Sequence, residues 1–156
     1  MRNQIALILT LILFCVSQVD AFAQNRQAER LDSLKTEAMA CFERNEIVRA
    51  LSLQKEALEI IVYQGKKCSP EYAEALRDYS LFTFENGQIL EAIDYIEEAT
   101  AVFDSLYSVH NLESALSRLD LASYHSAISH YDKALEVGKN ALETLEGLDS
   151  VPQDNY

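Results

Sequence analysis

The chain has 156 residues, a net charge of −12 and 49 % hydrophobic residues, which is one ordinary domain with enough apolar material for a core. Four Gly and two Pro exclude an all-β or loop-rich design, and the abundance of Ala, Leu and Glu favours helix. The acidic balance, with no stripe of Lys and Arg, excludes a phosphate backbone as partner, so no nucleic acid is expected; the charges read as solvated helix faces.

The first element is a leader. Arg2 supplies a positive start, residues 5–16 are apolar except for Thr10, and Ala21-Phe22-Ala23 fits a small-x-small cleavage pattern. This resembles a bacterial Sec-type signal peptide spanning 1–23, cleaved after Ala23, which makes the chain exported: periplasmic or secreted. The apolar run is short for a membrane span, and a retained anchor is the alternative. Leu13 and Phe14 before Cys15 depart from a lipidation motif. Losing residues 1–23 removes Arg2 and Asp20, so the charge stays at −12. No second apolar run is long enough to span a membrane, so the mature chain, a single domain over 24–152, carries no membrane span.

Six helices are then expected in chain order. The first covers 31–44 and breaks at Asn45-Glu46. The second covers 47–64, where Ile47, Ala50, Leu51, Ala57, Leu58 and Ile61 form one stripe. Gly65 suits a helix C-terminal cap, and Lys66 and Lys67 complement the negative helix end. Ser69-Pro70-Glu71 restarts a helix with an N-cap, a Pro in the first turn and an acidic first turn. The third helix covers 71–85, the fourth 88–106 after Asn86-Gly87, the fifth 112–127, and the sixth 131–145 after Ser129-His130.

These helices form a repeat of 42 residues. Ala50, Ala92 and Ala134 share one column, and Ala57, Ala99 and Ala141 another. Leu34 matches Leu76, Phe42 matches Phe84, and Ile47 matches Ile89. The copies cover about 31–72, 73–114 and 115–156. Small side chains at fixed columns let paired helices approach closely.

The pattern resembles the tetratricopeptide repeat, in the 42-residue variety of kinesin light chains. The second-helix alanines carry the resemblance, together with Leu119-Asp120-Leu121-Ala122-Ser123-Tyr124 in the third copy. The sequence departs from the family at the first-helix Trp, where Leu34, Leu76 and Arg118 stand, and at an aromatic slot held by Gln54, Ile96 and Gly138. The resemblance implies an all-α fold, a right-handed α-solenoid of three stacked hairpins. It also implies a concave face lined by the first helix of each hairpin, where an extended peptide or a partner helix binds. On that face lie Asp32, Lys35, Met39 and Phe42, then Arg77, Asp78, Leu81 and Phe84, then Leu119, Asp120, Ser123 and Ser126. The candidate binding residues are Lys35, Met39, Phe42, Arg77, Leu81 and Phe84, an apolar strip with a basic rim that suits a carboxylate. The alternative is that Phe42 and Phe84 are core. Met39 and Leu81 stand where the family's dicarboxylate clamp needs Asn.

Catalytic chemistry is not expected. His110, His125 and His130 are the only histidines, and the last two are five apart, which is wrong for one helix face. No phosphate loop or nucleophile motif occurs. Cys41 reads as a buried filler and Cys68 as an unpaired loop thiol, with no zinc spacing. No cofactor or metal is expected. The last helix has no obvious cap, and Tyr156 repeats the column of Tyr72. This stretch therefore reads as the lead-in to a further repeat, or as a face for a homodimer. The chain is thus an interaction module, or the N-terminal sensor or scaffold of a larger signalling or hydrolytic protein.

Overall fold

The computed structural model describes the backbone of residues 2–107 and 111–149, and the side chains of residue 18 and of residues 22–107 and 111–148. Six helices follow one another: α1 (Arg2–Glu43), α2 (Ile47–Tyr63), α3 (Pro70–Glu85), α4 (Ile89–Tyr107), α5 (Leu112–Ala127) and α6 (Tyr131–Asp149). No strand occurs among the described residues, and no helix there is long and apolar enough to cross a membrane. Hairpins α1–α2, α3–α4 and α5–α6 stack through α2 on α3 and α4 on α5. α3 also touches α5, which puts the first helices in one layer. Two ends differ from expectation. α1 runs back to Arg2 because no Gly or Pro interrupts residues 2–43, and α6 runs on to Asp149. His110 and the lead-in at 153–156 lie outside the described residues.

One turn is used three times. Asn45, Gly87 and Ser129 stand 42 residues apart, and all have left-handed backbones, with φ of 63°, 83° and 63°. After each, an amide reaches back to the last turn of the first helix. Glu46 N–H donates to Cys41 O at 2.9 Å, Gln88 N–H to Thr83 O at 3.1 Å, and His130 N–H to His125 O at 2.9 Å. These bonds satisfy carbonyls that a helix end otherwise leaves open. Gly65 closes α2 in the same way, with Lys66 N–H on Ile61 O at 3.1 Å. The next first helix is started by a side-chain cap. Ser69 Oγ accepts from Tyr72 N–H at 3.2 Å, and Asn111 Oδ1 accepts from Ser114 N–H at 2.8 Å.

The alanine columns are the crossing points. Ala50, Ala57, Ala92, Ala99 and Ala141 are fully buried, and Ala134 is half-buried. A larger side chain there forces the hairpin axes apart. Between hairpins, the core is built from Ile61, Leu76, Ile93, Ile96 and Phe103. Buried Gln54 is held by donating to Ala75 O at 3.0 Å, which removes the cost of an unpaired amide. Arg118 grips both oxygens of Asp104 at 2.7 and 2.9 Å and ties α5 to α4. The outer side of α6 differs from its counterparts: Leu135 and Leu142 are 59 % and 54 % exposed, whereas Ile93 and Thr100 in the same columns of α4 are 7 % and 8 % exposed beneath α5.

Ser129 and Gly138 are the weak local choices of the third hairpin. A serine with positive φ carries a Cβ clash that glycine avoids. At Gly138, an added methyl would lie 3.8 Å from Ala122 Cβ, an ordinary contact. Ser129→Gly and Gly138→Ala are each expected to stabilise the fold by about 0.5–1 kcal/mol, read as a raised midpoint in chemical denaturation.

Candidate functional site: the face of α1, α3 and α5

The first helices present one face together. α1 contributes Asp32, Lys35, Met39 and Phe42; α3 contributes Glu74, Arg77, Asp78, Leu81 and Phe84; α5 contributes Leu119, Asp120, Ser123 and Ser126. These residues recur at i, i+3, i+4 and i+7, so each set shares a helix side. Met39 and Leu119 are each 36 % exposed, and Leu81 is half-buried against Ala38, Cys41, Ala50 and Phe82. A cleft of about 590 Å³ opens beside Lys35, where Leu31 and Asp32 of α1 face Tyr63, Lys66 and Glu71.

The two phenylalanines serve the stack of repeats. Phe42 lies on Phe82 with ring centroids 4.8 Å apart, and Phe84 lies on Tyr124 at 4.4 Å. Both partners are also 42 residues apart, so this is one contact made twice, from each first helix to the next. Such pairs contribute about 0.5–1.5 kcal/mol beyond their buried area. Phe42 and Phe84 remain half-buried, so part of each side chain still faces out. Ser126 holds the third place in this column and has no ring to offer.

The basic rim is engaged from within. Lys35 Nζ lies 3.6 Å from Glu74, and Arg77 lies 3.3 Å from Glu113 and 3.5 Å from Asp120. Each cation thus reaches a carboxylate on the next first helix. Burial raises the Asp78 carboxyl above its ordinary value, opposed by Lys35 and Arg77. Burial raises Asp120 too, opposed by Arg77. The sequence placed both aspartates on this face but left them out of the candidate set. Their signal was their shared column and the neighbouring Arg77.

Two histidines stand at the end of α5 and in the turn after it. His125 and His130 meet at 6.0 Å between ring centroids, although their spacing is wrong for one helix. The turn at Ser129 ends α5 and folds His130 back. His125 is 5 % exposed, and its Nδ1 is buried with no hydrogen-bond partner among the described residues. Burial, then Lys133, holds its pKa below 6.5. Cys41 is buried and Cys68 exposed, both free. Among the described residues no group of three His, Cys, Asp or Glu is placed to hold a metal.

Two outcomes are expected. Phe84→Ala should cost about 2–3 kcal/mol in urea denaturation, below a fully buried phenylalanine because the ring is partly open. The His125 effect follows from its depressed folded pKa. Below pH 6.5 the unfolded chain takes up a proton that the folded one resists, so stability falls as pH drops through that window. His125→Thr, which copies Thr83 of the preceding repeat, should remove this component, measured as the difference between the two proteins at pH 7.5 and 5.5.

Comparison with known proteins agrees with this architecture. A family model described as Tetratricopeptide repeat matches residues 71–147. No curated protein sequence matches the chain. Among solved structures, BtubC (BKLC) from P. vanneervenii is similar in fold, with a TM-score of 0.73 and 16 % identity, over 81 % of this chain and 48 % of that one. A Podosopora anserina putative kinesin light chain with nearly identical TPR-like repeats gives 0.69 and 17 %, over 81 % and 59 %. The TPR domain of Arabidopsis FLU gives 0.69 and 19 %, over 78 % and 98 %. The chain thus spans about half the length of the first of these and under two thirds of the second. The hairpin of α1 and α2 repeats the plan of the two that follow. Residues 71–147 thus match the tetratricopeptide repeat family, and the chain as a whole has the right-handed α-solenoid fold of the solved structures it resembles.

Proposed function

We propose that this protein is an exported interaction module that holds an extended peptide or a partner helix on the face of α1, α3 and α5. The observation that carries the reading is the exposure of Met39 on α1 and Leu119 on α5, with half-buried Leu81 on the α3 helix between them, apolar surface on three successive first helices that the core does not fully cover. Phe42 and Phe84 support the strip from beneath while holding the repeats together, and Lys35 and Arg77 set its charge pattern. The module is non-catalytic and binds without a cofactor.

Export rests on the leader pattern at 1–23. The exposed leucines of α6 support self-association: two copies joined through Tyr131, Leu135 and Leu142 would cover surface that α5 covers on α4. A role as the recognition part of a larger signalling or hydrolytic protein uses the same face.

A photo-crosslinking residue at Met39 should capture partner from the producing cells, whereas one at Val48, on α2 and 74 % exposed, should not. Equal capture at both sites would remove the groove reading. Fractionation should place outside the cytoplasm a species that begins at Gln24, the product of cleavage after Ala23. An uncleaved cytoplasmic species would remove export but leave the groove.

A further inference from the structure

We infer that the partner segment of this groove is cationic, with apolar residues about three apart and Lys or Arg between them. The inference rests on the groove reading above and specifies its ligand. It reverses the sequence-based expectation of a carboxylate held by a basic rim.

The reversal follows from where the groove's cations already point. Lys35 is directed to Glu74, and Arg77 to both Glu113 and Asp120. A ligand carboxylate would have to displace these partners and lie beside them. Asp78 sits on the same face as Arg77 and makes no ion pair or side-chain hydrogen bond among the described residues. Two cations therefore meet four carboxylates on this face, and Asp32 on α1 adds a fifth. Burial raises the Asp78 and Asp120 carboxyls, and the nearby Lys35 and Arg77 offset this only in part. A Lys or Arg side chain laid along the groove supplies what Asp78 lacks. Its aliphatic stem can also lie on Met39 and Leu81. The net charge of −12 acts in the same direction at longer range and draws cationic segments in.

The spacing comes from the helix layer. Successive first helices meet through side chains, Phe42 on Phe82 and Phe84 on Tyr124, so they stand one helix diameter (about 10–12 Å) apart, and an extended chain advances about 3.3 Å per residue. Side chains about three residues apart therefore reach the three first helices in turn, at Met39 and Leu81 of one column and then at Leu119, one helical turn before that column's Ser123. The positions between them pass Asp78 and Asp120, which share a column on α3 and α5.

The test uses the full chain and three fluorescent peptides of about nine residues, with leucine at every third position and lysine, glutamine or glutamate between. Fluorescence anisotropy at low salt should rank lysine over glutamine over glutamate. The lysine peptide should weaken roughly tenfold between 50 and 300 mM salt, as screened charge pairs do. Asp78→Asn should weaken the lysine peptide roughly fivefold and leave the glutamine peptide unchanged. Met39→Arg should weaken both. Equal binding of all three peptides, blocked by Met39→Arg, would overturn the cationic partner and leave the groove reading standing. Preference for the glutamate peptide would do the same. Lysine-peptide binding that Met39→Arg does not affect would place the contact elsewhere and overturn both readings, as would no binding by any peptide. If Asp78→Asn unfolds the chain, seen by circular dichroism, the peptide ranking and salt slope on the unaltered protein still decide.

Discussion

The close approach of two helices at an alanine governs this molecule. Within each hairpin, a pair of small side chains seven residues apart sets how deeply one helix settles against the other. Because five of the six alanines are fully buried, the distance is fixed by backbone and methyl contact, with no flexible side chain to adjust it. Left-handed turns at Asn45, Gly87 and Ser129, one position in each repeat, then reverse the chain by the same hydrogen-bonded turn each time. Fixed spacing and a common turn, repeated, generate a regular stack. Only in a regular stack do Met39, Leu81 and Leu119 fall on one continuous face.

The binding face inherits its character from that regularity. A residue on one first helix faces a known column on the next, so Phe42 finds Phe82 and, one repeat later, Phe84 finds Tyr124. Charge follows the same rule with less order. Lys35 meets Glu74, while Arg77 meets Glu113 and Asp120. The face is cross-linked along its length by contacts internal to the protein. Its surface electrostatics are therefore what remains after those contacts, a different quantity from the list of basic residues on the helix.

Much of the architecture was legible in the sequence because it depends on local chemistry. Ser69 with Pro70 announces a helix start in any context, and Gly65 announces an end. The phase of the alanines fixed which faces meet. Contacts between side chains that meet only after stacking were harder to read. Phe42 looks the same in sequence whether it anchors a ligand or a neighbouring ring, and only the position of Phe82 decides how it is used. The nearness of His125 and His130 could not be read from helix spacing, because the turn at Ser129 ends the helix between them. One swap was hidden for the opposite reason. Arg30 pairs with Glu56, and in the next copy Tyr72 takes the place of Arg30, donating its hydroxyl to Glu98 at 2.8 Å. The column is kept while the chemistry changes from ion pair to neutral donor, so matching by residue type passes over it.

The bare outer side of α6 bears on how the molecule comes apart. In a stack of repeats, stability is close to a sum of each unit and its neighbours. α3 and α4 each pack on two or more helices, but α6 packs only on α5 among the helices described. It also carries Gly138, and the turn before it strains Ser129. α1 likewise packs mainly on α2, so α6 is set apart by Gly138 and Ser129, and among the described helices opening should begin there. Most of the candidate binding residues lie on α1 and α3, two helices away from α6 or more. Detachment of α6 would leave Lys35, Met39, Arg77 and Leu81 in place, and the module could exchange its terminal helix without dissolving the surface it uses.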